Sequence, residues 1–583
     1  MILRYLKARE WGLIAAITAF IVVQVWFDLM IPDHMFTITN LIQTGGTMEE
    51  VMGEGMIMLA LSFGSLLMAM ATGYLAAYVA TSLSKRLRSM EFGKVQSFSS
   101  NEIGKFSTAS LITRATNDIT QVQMAVALGL QVIIRAPILA GWAIIKISGK
   151  NWQWTAATAV AIVVMIVVIS ALMYFVVPRF KKIQWLTDEV NRDIRENLKG
   201  IRVIRAYNAQ EYQEKKFEKA NENLTSNNLF TSRAMALMTP VISTVMSMLS
   251  LSIYWIGAMI IAATVGIGTQ MILFSSMVTF LSYAMQVIMG FMMLIIVFII
   301  LPRAVVAARR IEEILDTEPT ITDGQITESP GTANGEIVFD KVGFKYPGAS
   351  DYVLKDISFK AERGETVAFI GSTGSGKSTI VSLIMRSYDV TEGSITIDGV
   401  DVRDYTLKAL HGKIGYVPQK ASLFSGTIAS NVAYGDRTSE NMEEDVRGAV
   451  EVAQATEFVE AMEGGYNATI AQGGTNISGG QKQRLSIARA VYRRPEIFIF
   501  DDSFSALDYK TDRQLRSALK KETADAISII VAQRVGTILD ADKIIVLDNG
   551  YIAGIGKHHD LLGTCPVYKD IVYSQLSEEE LCR

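Results

Sequence analysis

Apolar residues fill the first 300 positions in long runs, whereas the remainder mixes short apolar stretches with charged and turn-forming residues in ordinary soluble fashion. Six runs approach the roughly 20 residues needed to cross a hydrocarbon layer: 11–31, 56–79, 127–147, 155–177, 243–264 and 272–301. An even number of crossings returns the chain to its starting side. The intervening segments 81–124 and 178–238 are too long for turns and rich in helix formers, as in Asp188 to Glu196, so the helices should run well past the bilayer. A cluster of Pro, Gly, Thr and acidic residues near 317–336 shows no apolar periodicity and marks a linker. The expected fold is therefore an all-α membrane domain over 1–316, a linker over 317–335 and an α/β domain over 336–583.

Charge sets the orientation of those crossings. The stretch 32–55 carries Asp33, Glu49, Glu50 and Glu54 and no Lys or Arg, while Arg4, Lys7, Arg9, Lys85, Arg86, Arg88, Arg179, Lys181, Lys182 and Arg303 lie on the alternate connections. The positive-inside rule makes that second set cytoplasmic. The run 11–31 is long, lacks a small-residue cleavage site and is followed by further spans, so it is expected to stay as a membrane helix rather than a cleaved leader. A formal net charge of −3 offers no basic face for a nucleic acid, which is not an expected partner. Cys565 and Cys582 are the only cysteines, which excludes a disulfide framework or a Cys-based zinc site and suits a reducing compartment.

Two charged residues stand inside spans. Asp28 and Arg135 are costly in lipid and should face an aqueous cavity, a partner helix or each other. Met285, Met289, Met292 and Met293 recur at near-helical spacing in the last span, as either an adaptable surface for apolar ligands or plain packing.

The chemistry lies in the soluble part. Gly371, Ser372, Thr373, Gly374, Ser375, Gly376, Lys377 and Ser378 form a complete phosphate-binding loop between the apolar run 366–370 and a helical run opening at Thr379. In such a loop backbone N–H groups turn around the β-phosphate, the lysine reaches the β and γ oxygens, and the serine hydroxyl can ligate Mg²⁺. Ile477, Ser478, Gly479, Gly480 and Gln481 follow about a hundred residues later, ahead of an apolar run ending in Asp501 and Asp502. ATP and Mg²⁺ are the implied ligands.

Together with Gln419, these residues stand in the order of an ABC-transporter nucleotide-binding domain. Nearly the whole chain resembles a half-transporter of the bacterial exporter type, most closely one subunit of a heterodimeric multidrug exporter. The resemblance implies that Tyr346 stacks on adenine, with Thr379 beside the nucleotide, and that Gln419 touches Mg²⁺ and connects to the membrane domain. Asp501 would hold Mg²⁺ through water. Ser478 to Gln481 would contact ATP bound by another subunit, with Ser505 to Asp508 along the dimer seam. Stretches 110–118 and 200–207 resemble those beside and within the family's two cytoplasmic loops, which end in short coupling helices that dock on the ATPase domains.

Three positions depart from the family pattern. Asp502 stands where a glutamate positions the attacking water, Gln533 where a histidine contacts the γ-phosphate, and Gln472 where a glutamate is common. Aspartate is shorter by one methylene, and misplacing a catalytic group by about 1 Å can cost about a hundredfold. Glutamine cannot carry a proton as imidazole can. The expectation is a degenerate ATP site whose chain lends its signature to a second, non-identical half-transporter, exporting amphipathic or drug-like compounds across a bacterial inner membrane with its N-terminus and ATPase domain in the cytoplasm. The alternatives are a homodimeric lipid, drug or peptide exporter hydrolysing slowly through Asp502, and an ATP-gated regulatory or channel subunit.

Overall fold

A computed structural model describes residues 2–328, 335–435 and 441–575. Positions 329–334 of the expected linker and Cys582 lie outside the described residues. The chain forms two compact units, one of Met1–Lys94 with Ala109–Thr317 and one of Val95–Thr108 with Glu318–Arg583.

The helices of the first part are α1 (Ala8–Thr44), α2 (Met48–Gln96), α3 (Ser100–Phe106), α4 (Thr108–Thr113), α5 (Ile119–Ser148), α6 (Trp152–Ala206), α7 (Gln210–Ala236), α8 (Met238–Ala263) and α9 (Ile267–Asp316). Among the described residues, six helical stretches are long and apolar enough to cross a membrane. The longest single helix, α6, has 55 residues, which at ~1.5 Å per residue far exceeds a hydrocarbon core of ~30 Å. The acidic stretch expected as a connection is largely helix. Helix α1 continues through Pro32 to Thr44, and the reversal is confined to Gly45 to Thr47, where Gly45 takes a left-handed φ of 78°. Side-chain bonds explain why this end stays helical: His34 Nδ1 lies 2.6 Å from Glu54, and Asp33 accepts from Lys146 at 2.6 Å.

Ile17, Ile21, Val25 and Leu29 recur every fourth residue on α1 and are sealed against Tyr283, Val287 and Ile288 of α9. Of the three surroundings expected for Asp28 and Arg135, the structure selects each other. Arg135 Nη2 donates to Asp28 Oδ2 at 2.9 Å, Ser65 donates to Oδ1 at 2.6 Å, and Gln286 donates to the Asp28 carbonyl at 3.0 Å. Arg135→Met should therefore destabilise the protein more than the double replacement Asp28→Leu/Arg135→Met. Both side chains keep some exposure (29% and 21%), so the single loss should be about 2 kcal/mol, below the 3–5 kcal/mol of a sealed pair. Thermal unfolding in neutral detergent checks the order.

Among the described residues, the second unit holds twelve strands: β1 (Glu336–Phe344), β2 (Leu354–Glu362), β3 (Thr366–Gly371), β4 (Glu392–Ile397), β5 (Val400–Asp401), β6 (Ile414–Val417), β7 (Gly426–Thr427), β8 (Thr469–Ile470), β9 (Ile497–Asp501), β10 (Ile527–Val531), β11 (Lys543–Asp548) and β12 (Tyr551–Gly556). The main sheet runs β12-β11-β3-β10-β9-β6, parallel except for the edge strand β12. Its inner strands read as continuous apolar runs because both faces are covered. An antiparallel sheet β2-β1-β4-β5 accompanies it. Parallel pairing brings the carboxyl ends of β3, β10, β9 and β6 to one edge, where α/β sheets bind ligands. Helix α3 belongs to this unit, and Glu102 within it accepts from the Thr320 hydroxyl at 2.9 Å.

Candidate functional site

The phosphate loop is built by close approach. A Cβ at Gly371 would lie 2.1 Å from the Leu547 carbonyl oxygen, and one at Gly376, whose φ is 101°, would lie 2.5 Å from Leu354. Only glycine lets the backbone leave β3 and enter the helix Lys377–Ile384 in this space. The Ser372 to Ser375 segment, with Thr373 and Gly374 between, folds under the lysine. Lys377 Nζ donates to the carbonyls of Gly371 at 2.8 Å and Ser372 at 2.7 Å and to Ser375 at 3.3 Å. Burial pulls the Lys377 pKa down, and the charges of Asp502 and Asp501 oppose that.

Asp501 closes β9 and is buried. Its Oδ1 accepts from the Ser378 hydroxyl at 3.2 Å. Burial pushes this carboxyl above its usual range, the Ser378 bond opposes the rise, and the charge of Asp502 adds to it. A cation would relieve that penalty. The Ser378 hydroxyl and Asp501 carboxylate are hard oxygen donors that fit Mg²⁺, which when bound would neutralise phosphate charge.

The structure brings two of the three departing positions into one hydrogen-bonded group. Asp502 Oδ2 accepts from Gln533 Nε2 at 2.8 Å and from Gln419 Nε2 at 3.0 Å. Three strand ends supply them: β9 leads to Asp502, β10 to Gln533 and β6 to Gln419. Asp502 also has a φ of 47°, a left-handed geometry that aspartate tolerates better than longer side chains. One oxygen of a short carboxylate is thus shared by two amides.

Tyr346 sits in the loop beyond β1, which ends at Phe344. Its hydroxyl lies 3.0 Å from the Thr379 hydroxyl, so Thr379 holds the ring in place. Phe344 and Tyr388 meet it edge-on at 5.0 Å and 5.3 Å. Sequence reasoning missed Tyr388. It missed Gln575 too, whose Nε2 donates to the Gln533 carbonyl and whose Oε1 accepts from Val535 N–H, both at 2.8 Å. Neither belongs to a local motif; only the folded chain reveals them.

The signature segment forms a preset helix N-terminus. The Ser478 side chain accepts from Gln481 N–H at 3.3 Å, and Gln481 Oε1 accepts from Ser478 N–H at 2.9 Å, a reciprocal capping box before the 14-residue helix Gly479–Tyr492. Gly479 and Gly480 follow at the first positions, where N–H groups lack intrahelical acceptors. Among the described residues, Ser478 to Gln481 make no hydrogen bond to the phosphate loop or Asp502. Gln483, on the same helix, donates to the Pro418 carbonyl beside Gln419 at 3.0 Å. Ser505 donates to the Asp502 carbonyl at 3.0 Å, and Asp508 caps the helix Tyr509–Glu522. Gln472 is exposed at the start of a short turn.

In the helical unit, an apolar cavity of about 520 Å³ opens between α6 and α9, lined by Met165, Ile169, Met173, Phe291 and Leu294 among others. Of the two readings of Met285, Met289, Met292 and Met293, a ligand surface or plain packing, none of the four lines this cavity. Met285, Met292 and Met293 are half-buried and Met289 is exposed, while the cavity draws its thioethers from α6.

Residues 354–505 match the ABC transporter family and residues 13–291 the ABC transporter transmembrane region. An uncharacterized ABC transporter ATP-binding protein of Mycobacterium bovis is 38% identical over 532 residues, 91% of this chain and 90% of that protein. A similarly described protein of Bacillus subtilis is 35% identical over 526 residues, 90% of each chain. The ATP-dependent lipid A-core flippase of Vibrio vulnificus is 32% identical over 513 residues, 86% of this chain and 84% of the flippase. The fold is that of a bacterial Atm1-family ABC exporter solved with ATP bound, at a TM-score of 0.79 and 22% identity over 98% of this chain and all of the other.

Proposed function

The chain belongs to the ABC transporter family, as an exporter with a six-helix membrane domain fused to one ATPase domain, and we propose that it is the weakly hydrolysing half of a heterodimer. In this reading it holds MgATP between Tyr346, the loop Gly371 to Ser378, Gln419 and Asp501. It presents Ser478 to Gln481 to a hydrolytic site on a different subunit. The membrane domain moves amphipathic compounds outward by alternating access, with the ATPase domain in the cytoplasm of a bacterial cell. The apolar cavity beside α6 and α9 supports such a cargo.

One observation carries the proposal: Asp502 Oδ2 is shared by the Gln419 and Gln533 amides. A general base must reach the proton it removes, within about 3 Å or through one water. Here the carboxylate is short, and one of its two oxygens is spent on fixed donors. The expected result is that Asp502→Ala leaves the ATPase rate of the assembled exporter within about threefold of wild type, far short of the roughly hundredfold cost of displacing a working catalytic group. A collapse of activity would contradict the proposal.

A homodimeric lipid exporter is the second reading. The same chain holds a full phosphate loop and a capped signature helix, so two copies could complete two equal sites. Its relatives include proteins described as lipid A-core flippases. In that case Asp502→Ala would silence both sites at once.

A further inference from the structure

The helical unit contains a second cavity, of about 330 Å³, where the end of α1, the α5–α6 turn and the start of α9 meet. Its charge does not balance. Asp33 is the carboxylate of its wall, and it is committed to Lys146 at 2.6 Å and to the Tyr283 hydroxyl at 2.5 Å. Lys150 also lines the cavity, and no carboxylate lies within salt-bridge distance of it among the described residues. Its ammonium rests on aromatic faces instead, 5.2 Å from the Tyr283 ring centre and 5.9 Å from that of Phe36. Two ammonium groups thus face one carboxylate.

Trp154 lines the same cavity with its ring and is 1% exposed. A second ammonium beside a single carboxylate calls for electron-rich oxygen. Phe36 and Leu273 add apolar surface, and the volume lies at the lower end of the ~300–1,000 Å³ usual for small-molecule sites.

We propose that this cavity is a binding site for the head of an anionic amphiphile, a carboxylate or phosphate monoester bearing an apolar tail. Lys150 is its charge-recognising residue, Ser276 supplies a hydrogen bond, and Phe36, Trp154 and Leu273 take the first carbons of the tail. The assignment deepens the exporter reading by naming the class of cargo or lipid that this part of the membrane domain accepts, and it rests on that reading only for the word cargo.

The test is equilibrium binding to the full chain in neutral maltoside detergent, read by native mass spectrometry, with three probes: dodecyl phosphate, dodecylphosphocholine and inorganic phosphate. Wild type should prefer dodecyl phosphate to dodecylphosphocholine by about tenfold, the effect of one desolvated charge contact. Lys150→Glu should bring that ratio to about one, and Lys150→Arg should preserve it. Ser276→Leu, which fills the cavity without touching its charge, should weaken dodecyl phosphate binding in a folded protein. An unchanged ratio in Lys150→Glu overturns the proposal, as does inorganic phosphate competing as well as dodecyl phosphate. Failure of ATP-driven transport alongside the expected ratios would count against the exporter reading and leave the site standing.

Discussion

An exporter assembled from Ser478→Arg chains should lose at least about a hundredfold of its MgATP turnover, although the substitution lies outside every Walker residue of this chain. The expectation follows from where Ser478 stands. Its hydroxyl and backbone close the capping box with Gln481, and the N–H groups of Gly479 and Gly480 come next at a helix N-terminus. Donors fixed in this way stabilise developing phosphate charge, and removing one such donor costs about 10²–10³ in rate. Arginine removes the cap and fills the space that a partner's nucleotide would occupy. Ser478→Thr keeps a capping oxygen and should retain most of the activity. The measurement is steady-state ATPase at saturating MgATP on purified complex. A rate within twofold of wild type would show that these groups do not serve a hydrolytic site.

The second large effect runs the other way. Asp502→Glu combined with Gln533→His should raise phosphate release by the isolated chain by about a hundredfold, because the two changes restore reach and a titratable contact together. Neither change alone should match the pair. Glutamate without histidine meets the Gln419 and Gln533 amides that now hold position 502, while histidine without glutamate has no base to work with. The left-handed backbone at 502 charges the longer side chain about 1 kcal/mol of strain, which limits the gain without abolishing it. Single-turnover phosphate release by the four proteins checks the order; equal rates would mean that positions 502 and 533 do not limit this site.

Local signals explain what could be read from the chain. The phosphate loop was legible because its glycines, lysine and serine act over eight consecutive positions, and Asp501 because an apolar run ended in a carboxylate. Residues that act across the fold were not. Tyr388 meets Tyr346 only after β1 and the turn beyond it are placed, and Gln575 reaches the Gln533 backbone from the last described helix. Asp28 and Arg135 were recognisable as misfits in lipid, yet their pairing depends on which faces of α1 and α5 meet. The continuation of α1 past Pro32 was hidden because acidic residues and a proline resemble a connection, while the bonds of Asp33 and His34 that hold the helix are made to distant elements. The cavity at Lys150 joins three such elements, and its unbalanced charge emerges only once Asp33 is seen to be taken.

The most direct measurement is the ATPase rate of this chain purified by itself, compared with its Asp502→Asn form. The account predicts tight ATP binding with negligible turnover in both proteins, at less than about a tenth of the rate of the complex with its partner subunit. Brisk turnover by the lone chain that Asp502→Asn abolishes would contradict it.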